Sequence, residues 1–256
     1  MSKNDSSLIT PNWAAPSHIK AYTTLRTPGN SLPPYNSFNL ALHVGDNEAH
    51  VRDNRETLKQ IAHLPSEPRW INQVHSNIAL LAETVPFDQA ITADATHTQK
   101  ADTICIVLVG DCLPILVTNK AGTEVAAIHA GWRGLAGGII ENTLTALHSA
   151  PETLMIWIGP SVSQPYYEVG EDFYTAFAVE HTPEERQQAF QETPKDKKWL
   201  ANVPLLAKQR LIKLGVLSQN IYLSNECTYA HPERYFSYRR EGITGRIASM
   251  IFIEAK

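Results

Sequence analysis

The sequence predicts an α+β fold, on three observations. Short strand-like apolar runs recur through the middle of the chain, helical periodicity appears in separate blocks, and the two do not alternate as a doubly wound parallel sheet requires. The first 60 residues begin irregular, with turn chemistry at Thr27-Pro28-Gly29-Asn30 and Pro33-Pro34, and lead to a helix over 50–63. Strands are expected at 69–74, 78–82, 103–109, 113–118, 124–130 and 154–158, each bounded by turn residues. After Gly137-Gly138, the positions Ile139, Ile140, Thr143, Leu144 and Leu147 mark one buried helix face. Two later helices are read at 171–179 and 203–214, the second with Pro204 in its first turn and Gly215 beyond its end. Residues 183–198 read as a solvent-exposed helical excursion, and a strand over 246–253 closes the chain.

With 256 residues, 43% of them hydrophobic, the chain can bury a core without disulfides. No linker, low-complexity spacer or long repeat divides it, so residues 1–256 are read as one domain. Lys and Arg total 22 against 26 Asp and Glu, which gives no general attraction to nucleic acid or an anionic membrane. Three cysteines without a C-x-x-C pair fit a reducing compartment. The start of the chain is polar, and the apolar run at 104–109 is far shorter than the roughly 18–20 residues of a membrane span, so a cytoplasmic protein is expected.

The richest chemistry lies between Asp111 and Arg133. Two strands flanking Asn119-Lys120-Ala121-Gly122 predict an antiparallel hairpin. With the turn centred between Lys120 and Ala121, Cys112 faces His129 on one side of the sheet, close enough to share a metal ion or a proton. Pro114 places the Cys112 end at an edge or bulge. The pair admits three readings: a buried small thiol beside a satisfied histidine, a thiolate nucleophile with its base, or two ligands of a metal. A catalytic zinc needs a third ligand, and His75, at the end of a strand in Asn72-Gln73-Val74-His75, is best placed among ten histidines. Asp111, adjacent to Cys112 and therefore on the opposite face, is expected to orient the loop rather than to ligate.

These residues belong to a longer ordered set. It runs from Leu32-Pro33-Pro34-Tyr35-Asn36-Ser37-Phe38-Asn39-Leu40 and His43-Val44-Gly45-Asp46-Asn47 through Gln73-Val74-His75, Asp111-Cys112-Leu113-Pro114 and His129-Ala130-Gly131-Trp132-Arg133-Gly134 to Ile158-Gly159-Pro160, Tyr167-Glu168-Val169-Gly170, Cys227-Thr228-Tyr229, Phe236-Ser237-Tyr238-Arg239-Arg240 and Gly245-Arg246. The set resembles the YfiH-type family, named for a laccase or polyphenol-oxidase domain and associated with purine nucleoside phosphorolysis and adenosine deamination. The resemblance implies a four-layer α/β/β/α sandwich with mixed sheets, and one zinc held by His75, Cys112 and His129. It also implies phosphorolysis of adenosine, inosine and methylthioadenosine. Four positions depart from the family pattern: Val109-Gly110 stands where Thr-Ala is usual, Ser76 where Gly is, and Asn202 where Asp is common.

Phosphorolysis needs an anion pocket, for which Arg26, Arg133, Arg239 and Arg240 are candidates, Arg133 foremost for its place one step from a ligand. Asn39 and His43 are expected to line the same pocket. Purine nucleosides and phosphate are thus the expected partners of a monomer. Two alternatives remain open: a copper-dependent polyphenol oxidase, which the absence of any His-x-His pair disfavours, and a hydrolase with Cys112 as nucleophile and His129 as base.

Overall fold

The computed structural model describes residues 7–178 and 181–255. Its centre is two packed sheets. One is four-stranded, in the spatial order Leu8–Ile9, Ile19–Thr24, Ile247–Ile253, Cys105–Val109, and every pairing in it is antiparallel. The other is six-stranded, in the order Ile221–Leu223, Leu154–Ile158, Leu113–Asn119, Val125–Ala130, Ala95–Thr98, Ala79–Leu81. Its two outermost pairings are parallel and the rest antiparallel, so the expected mixture holds for this sheet and not for the first.

Alternation along the strands builds the layers. Ile104, Ile106 and Leu108 face one way and pack with Ala248, Met250, Phe252 and with Leu58 of the helix Glu48–Ile61. Cys105 and Val107 face the other way, meeting Leu116, Val125, Ala127 and Trp157 of the second sheet. Leu113, Ile115, Val117, Ala126 and Ile128 then face a second helical layer that includes Ile139–Ala146 and Val203–Lys213. Three stacked cores thus produce the α/β/β/α order.

Most helices and strands fall where periodicity placed them. The helix after Gly137-Gly138 buries Ile139, Ile140, Thr143 and Leu144, and Asn202 caps Val203–Lys213 by accepting from the Leu205 amide at 3.1 Å. Asn caps a helix as well as Asp does, which explains that departure. The helix at Glu171–Ala176 is shorter than read, with Val179 outside the described residues. The expected strand at 69–74 shrinks to Ile71–Asn72. The excursion at 183–198 carries the helix Pro183–Ala189 and a strand, Phe190–Glu192, that pairs with Trp199–Ala201; buried Ala189 and Phe190 anchor it to the core. Ile19–Thr24 and Ala95–Thr98, which patterning missed, are both strands of the central sheets.

Candidate metal centre

The hairpin forms, but its register differs from the expectation. Pro114 pairs with His129 and Leu113 with Ala130, two residues from the predicted alignment, because the tip is longer than assumed: the Gly122 amide bonds Asn119 O and the second strand starts only at Val125. A slip of two preserves the face, so Cys112, on the bend before its strand, still shares the inter-sheet side with His129 as a diagonal neighbour. His75 converges on them from the turn after Ile71–Asn72.

One candidate ligand atom from each of the three lies within 4.8 Å of the others, the sole such group of three or more among the described residues. The Cys112 Sγ to His75 Nε2 distance is 3.5 Å. Zinc bonded tetrahedrally to sulfur at about 2.3 Å and to imidazole at about 2.1 Å sets those atoms roughly 3.6 Å apart, so the residues fit a metal of this kind. Gly131 makes the convergence possible: a Cβ there would stand 2.0 Å from His75 Cδ2. The His75 ring lies edge-on to that of His129, centroids 4.9 Å apart.

Asp94 organises this cluster, and no feature of its sequence neighbourhood announced it. Fully buried, it accepts from His129 Nδ1–H at 2.7 Å, leaving Nε2 as the ring nitrogen available to a metal. It also accepts from the amides of His75 (3.0 Å) and Ser76 (2.6 Å) and from the Ser76 hydroxyl (2.6 Å), and its own carbonyl takes the His129 amide at 2.7 Å. The departure at Ser76 therefore adds a bond that glycine would lack. His75 has φ +62°, a left-handed turn that aims successive amides at this one carboxylate. Gln73 fixes the same loop by bonding both the amide and the carbonyl of Leu108, each at 2.8 Å.

Burial would raise the Asp94 pKa, but the bonds from His129 and Ser76 outweigh it and hold the group at about 2. Burial likewise opposes charge on Cys112 and His129. The imidazolium nevertheless brings the thiol down to about 6, and the thiolate together with Asp94 raises His129 to about 9. The metal-free centre is therefore a thiolate–imidazolium pair near neutral pH.

Two cavities meet at these residues. The larger, about 440 Å³, is lined by Trp132, Tyr167, Tyr238 and Arg239 as well as His75 and Cys112. The smaller, about 250 Å³, holds His43, Arg246 and Tyr238 beside all three of the cluster. Asp111, at φ +94°, accepts from Thr228 Oγ1 and the Arg239 amide, each at 2.6 Å, and so braces the far rim of the larger cavity rather than the metal loop it was expected to orient.

The other expected residues divide. His43 and Arg239 line cavities. Asn39 does not: fully buried, it bonds Ala41, Asp46 and the Arg246 amide, because the segment around it is a turn entering the 3-10 helix Leu42–Val44 rather than an alternating strand. Arg26 is committed to Glu241, Pro232 O and Asn36 O, and Arg240 to Glu241 and three carbonyls. Arg133 is exposed, lies over the Trp132 ring and lines neither cavity. Arg246, Tyr238 and Asp94 were missed as site residues; for Arg246, its place in the Gly245-Arg246 motif was the available signal.

Fold and site together define a four-layer α+β protein with a His-Cys-His centre at the open end of a central hairpin. Residues 20–254 match the family described as multi-copper polyphenol oxidoreductase laccase, and the chain belongs to it. The chain is 42% identical over 248 residues to purine nucleoside phosphorylase YfiH of Escherichia coli, with 97% of this chain and 99% of the relative covered. Among solved structures it is similar to a Neisseria meningitidis protein at TM-score 0.91 and 40% identity, covering 97% of this chain and all of that one. YlmD from Geobacillus stearothermophilus is similar at TM-score 0.90 and 27% identity, with 99% and 98% covered.

Proposed function

We propose that this protein is a zinc-dependent purine nucleoside phosphorylase with adenosine deaminase activity, acting on adenosine, inosine and methylthioadenosine. The observation that carries the reading is a three-donor cluster, tethered by a buried carboxylate, at the wall of an aromatic-lined cavity; its volume of about 440 Å³ is in the range of small-molecule sites. The names of the curated relatives agree with it. Among the described residues only three such donors cluster, which speaks against a multicopper oxidase, a class that needs many histidines. We take the protein to be a cytoplasmic monomer, one domain over 1–256, with no nucleic-acid or membrane partner; no helix among the described residues is long and apolar enough to cross a membrane.

Zinc, when bound, supplies Lewis-acid polarisation of an oxygen. The protein's own groups bind and orient. Trp132, Tyr167 and Tyr238 offer aromatic surface to a purine, Arg239 sits at the cavity wall, and Asp94 keeps His129 in one tautomer. In phosphorolysis an oxygen of hydrogen phosphate bonds to C1′ of the ribose. The C1′–N9 bond breaks with its electron pair passing to the purine, and the phosphate proton ends on the base.

The test combines metal analysis of protein purified without chelator with adenosine turnover, with and without phosphate. Free adenine only with phosphate establishes phosphorolysis; inosine without phosphate establishes deamination. The depressed Cys112 thiol beside His129 favours one second reading, a cysteine hydrolase. Undiminished turnover in demonstrably metal-free protein would select it.

A further inference from the structure

We propose that the smaller cavity is an oxyanion subsite built on Arg246, with inorganic phosphate as its occupant. This inference rests on the phosphorylase reading and extends it by separating the phosphate from the purine.

The candidate arginines differ in what their guanidinium groups still have to offer. Arg26 and Arg240 are both paired with Glu241, and Arg239, exposed on the rim of the larger cavity, donates Nη1 to Glu168 O and lies over Tyr167, its other donors open to water. Arg246, half-buried at the smaller cavity, donates Nη1 alone, bent back onto the carbonyls of Thr244 and Gly245 at 2.9 Å each, with its guanidinium 5.8 Å from the Tyr238 ring. Among the described residues its Nε and Nη2 have no acceptor and no carboxylate pairs with it. A half-buried guanidinium lining a cavity, with two nitrogens uncommitted to protein acceptors, can offer an oxyanion paired charge-assisted hydrogen bonds.

Its position is also fixed. The backbone amide is held by Asn39 Oδ1 at 2.9 Å, and the side chain lies against Gly110, where a Cβ would be 3.0 Å from Cδ and 3.3 Å from Nε. An alanine at 110, which is usual in the family, would displace this side chain by a few tenths of an ångström. His43 lines the same cavity, and its ring has no hydrogen-bond partner among the described residues. At about 250 Å³ the space suits a tetrahedral oxyanion better than a nucleoside, and it shares His75, Gly110, Cys112 and Tyr238 with the larger, aromatic cavity. A nucleoside base in the larger cavity and phosphate in the smaller would thus approach one another across the metal ligands.

The experiment compares zinc-loaded wild type with Arg246→Gln, Arg246→Lys and His43→Ala. It measures the phosphate dependence of inosine cleavage, and protection of each protein against thermal unfolding by inorganic phosphate and separately by AMP. Arg246→Gln should raise the phosphate KM at least about tenfold and abolish protection by phosphate, with zinc content and nucleoside KM little changed. Arg246→Lys, which keeps stem and charge, should fall between, and His43→Ala should raise the phosphate KM by a smaller factor. An unchanged phosphate KM in folded, zinc-loaded Arg246→Gln overturns the subsite while leaving the phosphorylase reading in place. If wild type cleaves nothing with phosphate yet is protected by it through Arg246, the subsite stands and the phosphorylase reading falls. Protection by AMP but not by inorganic phosphate overturns free phosphate as the occupant.

Discussion

Asp94 and Asp111 are both buried aspartates within reach of the same centre, and they hold different things. Asp94 gathers the His129 ring, the His75 amide and the Ser76 amide and hydroxyl, so its charge fixes the proposed metal ligands. Asp111 takes the Thr228 hydroxyl and the Arg239 amide, so its charge fixes the far rim of the larger cavity, where Tyr238 and Arg239 begin the short helix Tyr238–Glu241. Two carboxylates thus brace two sides of the centre, so retention of the proposed metal and binding of the proposed substrate should respond to separate aspartates, although Asp111 adjoins Cys112 in sequence.

The division can be broken most severely at the ligands themselves. Cys112→Ala should lower zinc content and nucleoside turnover by more than about 100-fold while circular dichroism stays that of the wild type, because the side chain sits on a bend at the margin of the small cluster of Val109, Tyr235, Phe236 and Ile247, not inside it. Retained zinc in that variant would remove Cys112 from the ligand set. Asp94→Asn comes next, with zinc affinity expected to fall about 10–100-fold and activity to be restored in part by excess zinc. In Asp111→Asn the order of effects should invert: zinc binding as in the wild type, nucleoside KM up by about tenfold. If both aspartate variants lose zinc alike, the two carboxylates are not separate controls.

The smallest effect sharpens the electrostatic side. In metal-free protein the Cys112 thiol is depressed from the ordinary 9.0 to about 6, whereas burial drives Cys105 up to about 12. The Cys112 thiolate is therefore present above about pH 6 and is lost as the pH falls through that value. Alkylation of Cys112 by iodoacetamide should show this midpoint, with Cys105 unreactive throughout; a Cys112 midpoint near 9 would show that His129 does not stabilise the thiolate.

Legibility in the sequence followed the range of the interactions. The strand Leu154–Ile158 and the face of Ile139–Ala146 were readable because apolar spacing alone specifies them. Ile19–Thr24 was not: its polar residues and neighbouring prolines conceal an interior strand completed by Ile247–Ile253, more than two hundred residues away. Cys112 and His129 were legible through hairpin parity, which survives a register error of two. His75 owed its placing to local context and resemblance. Asp94 left no local trace, since its partners lie 18 to 35 residues away and meet it only through a left-handed turn. Arg133 looked well placed by nearness in sequence, yet its helix turns it outward over Trp132.

The three proposed ligands also differ in their access to water: His129 is buried, Cys112 half-buried and His75 exposed. Such a gradient separates how tightly an ion is held from how quickly it is exchanged. Tightness would rest with His129 and Cys112 and with Asp94 behind them, while an ion would come and go on the exposed side, at His75. An ion held by these three residues should therefore exchange at a rate set by the Gln73–Ser76 turn, and a change there would alter the time the ion stays more than the geometry in which it sits.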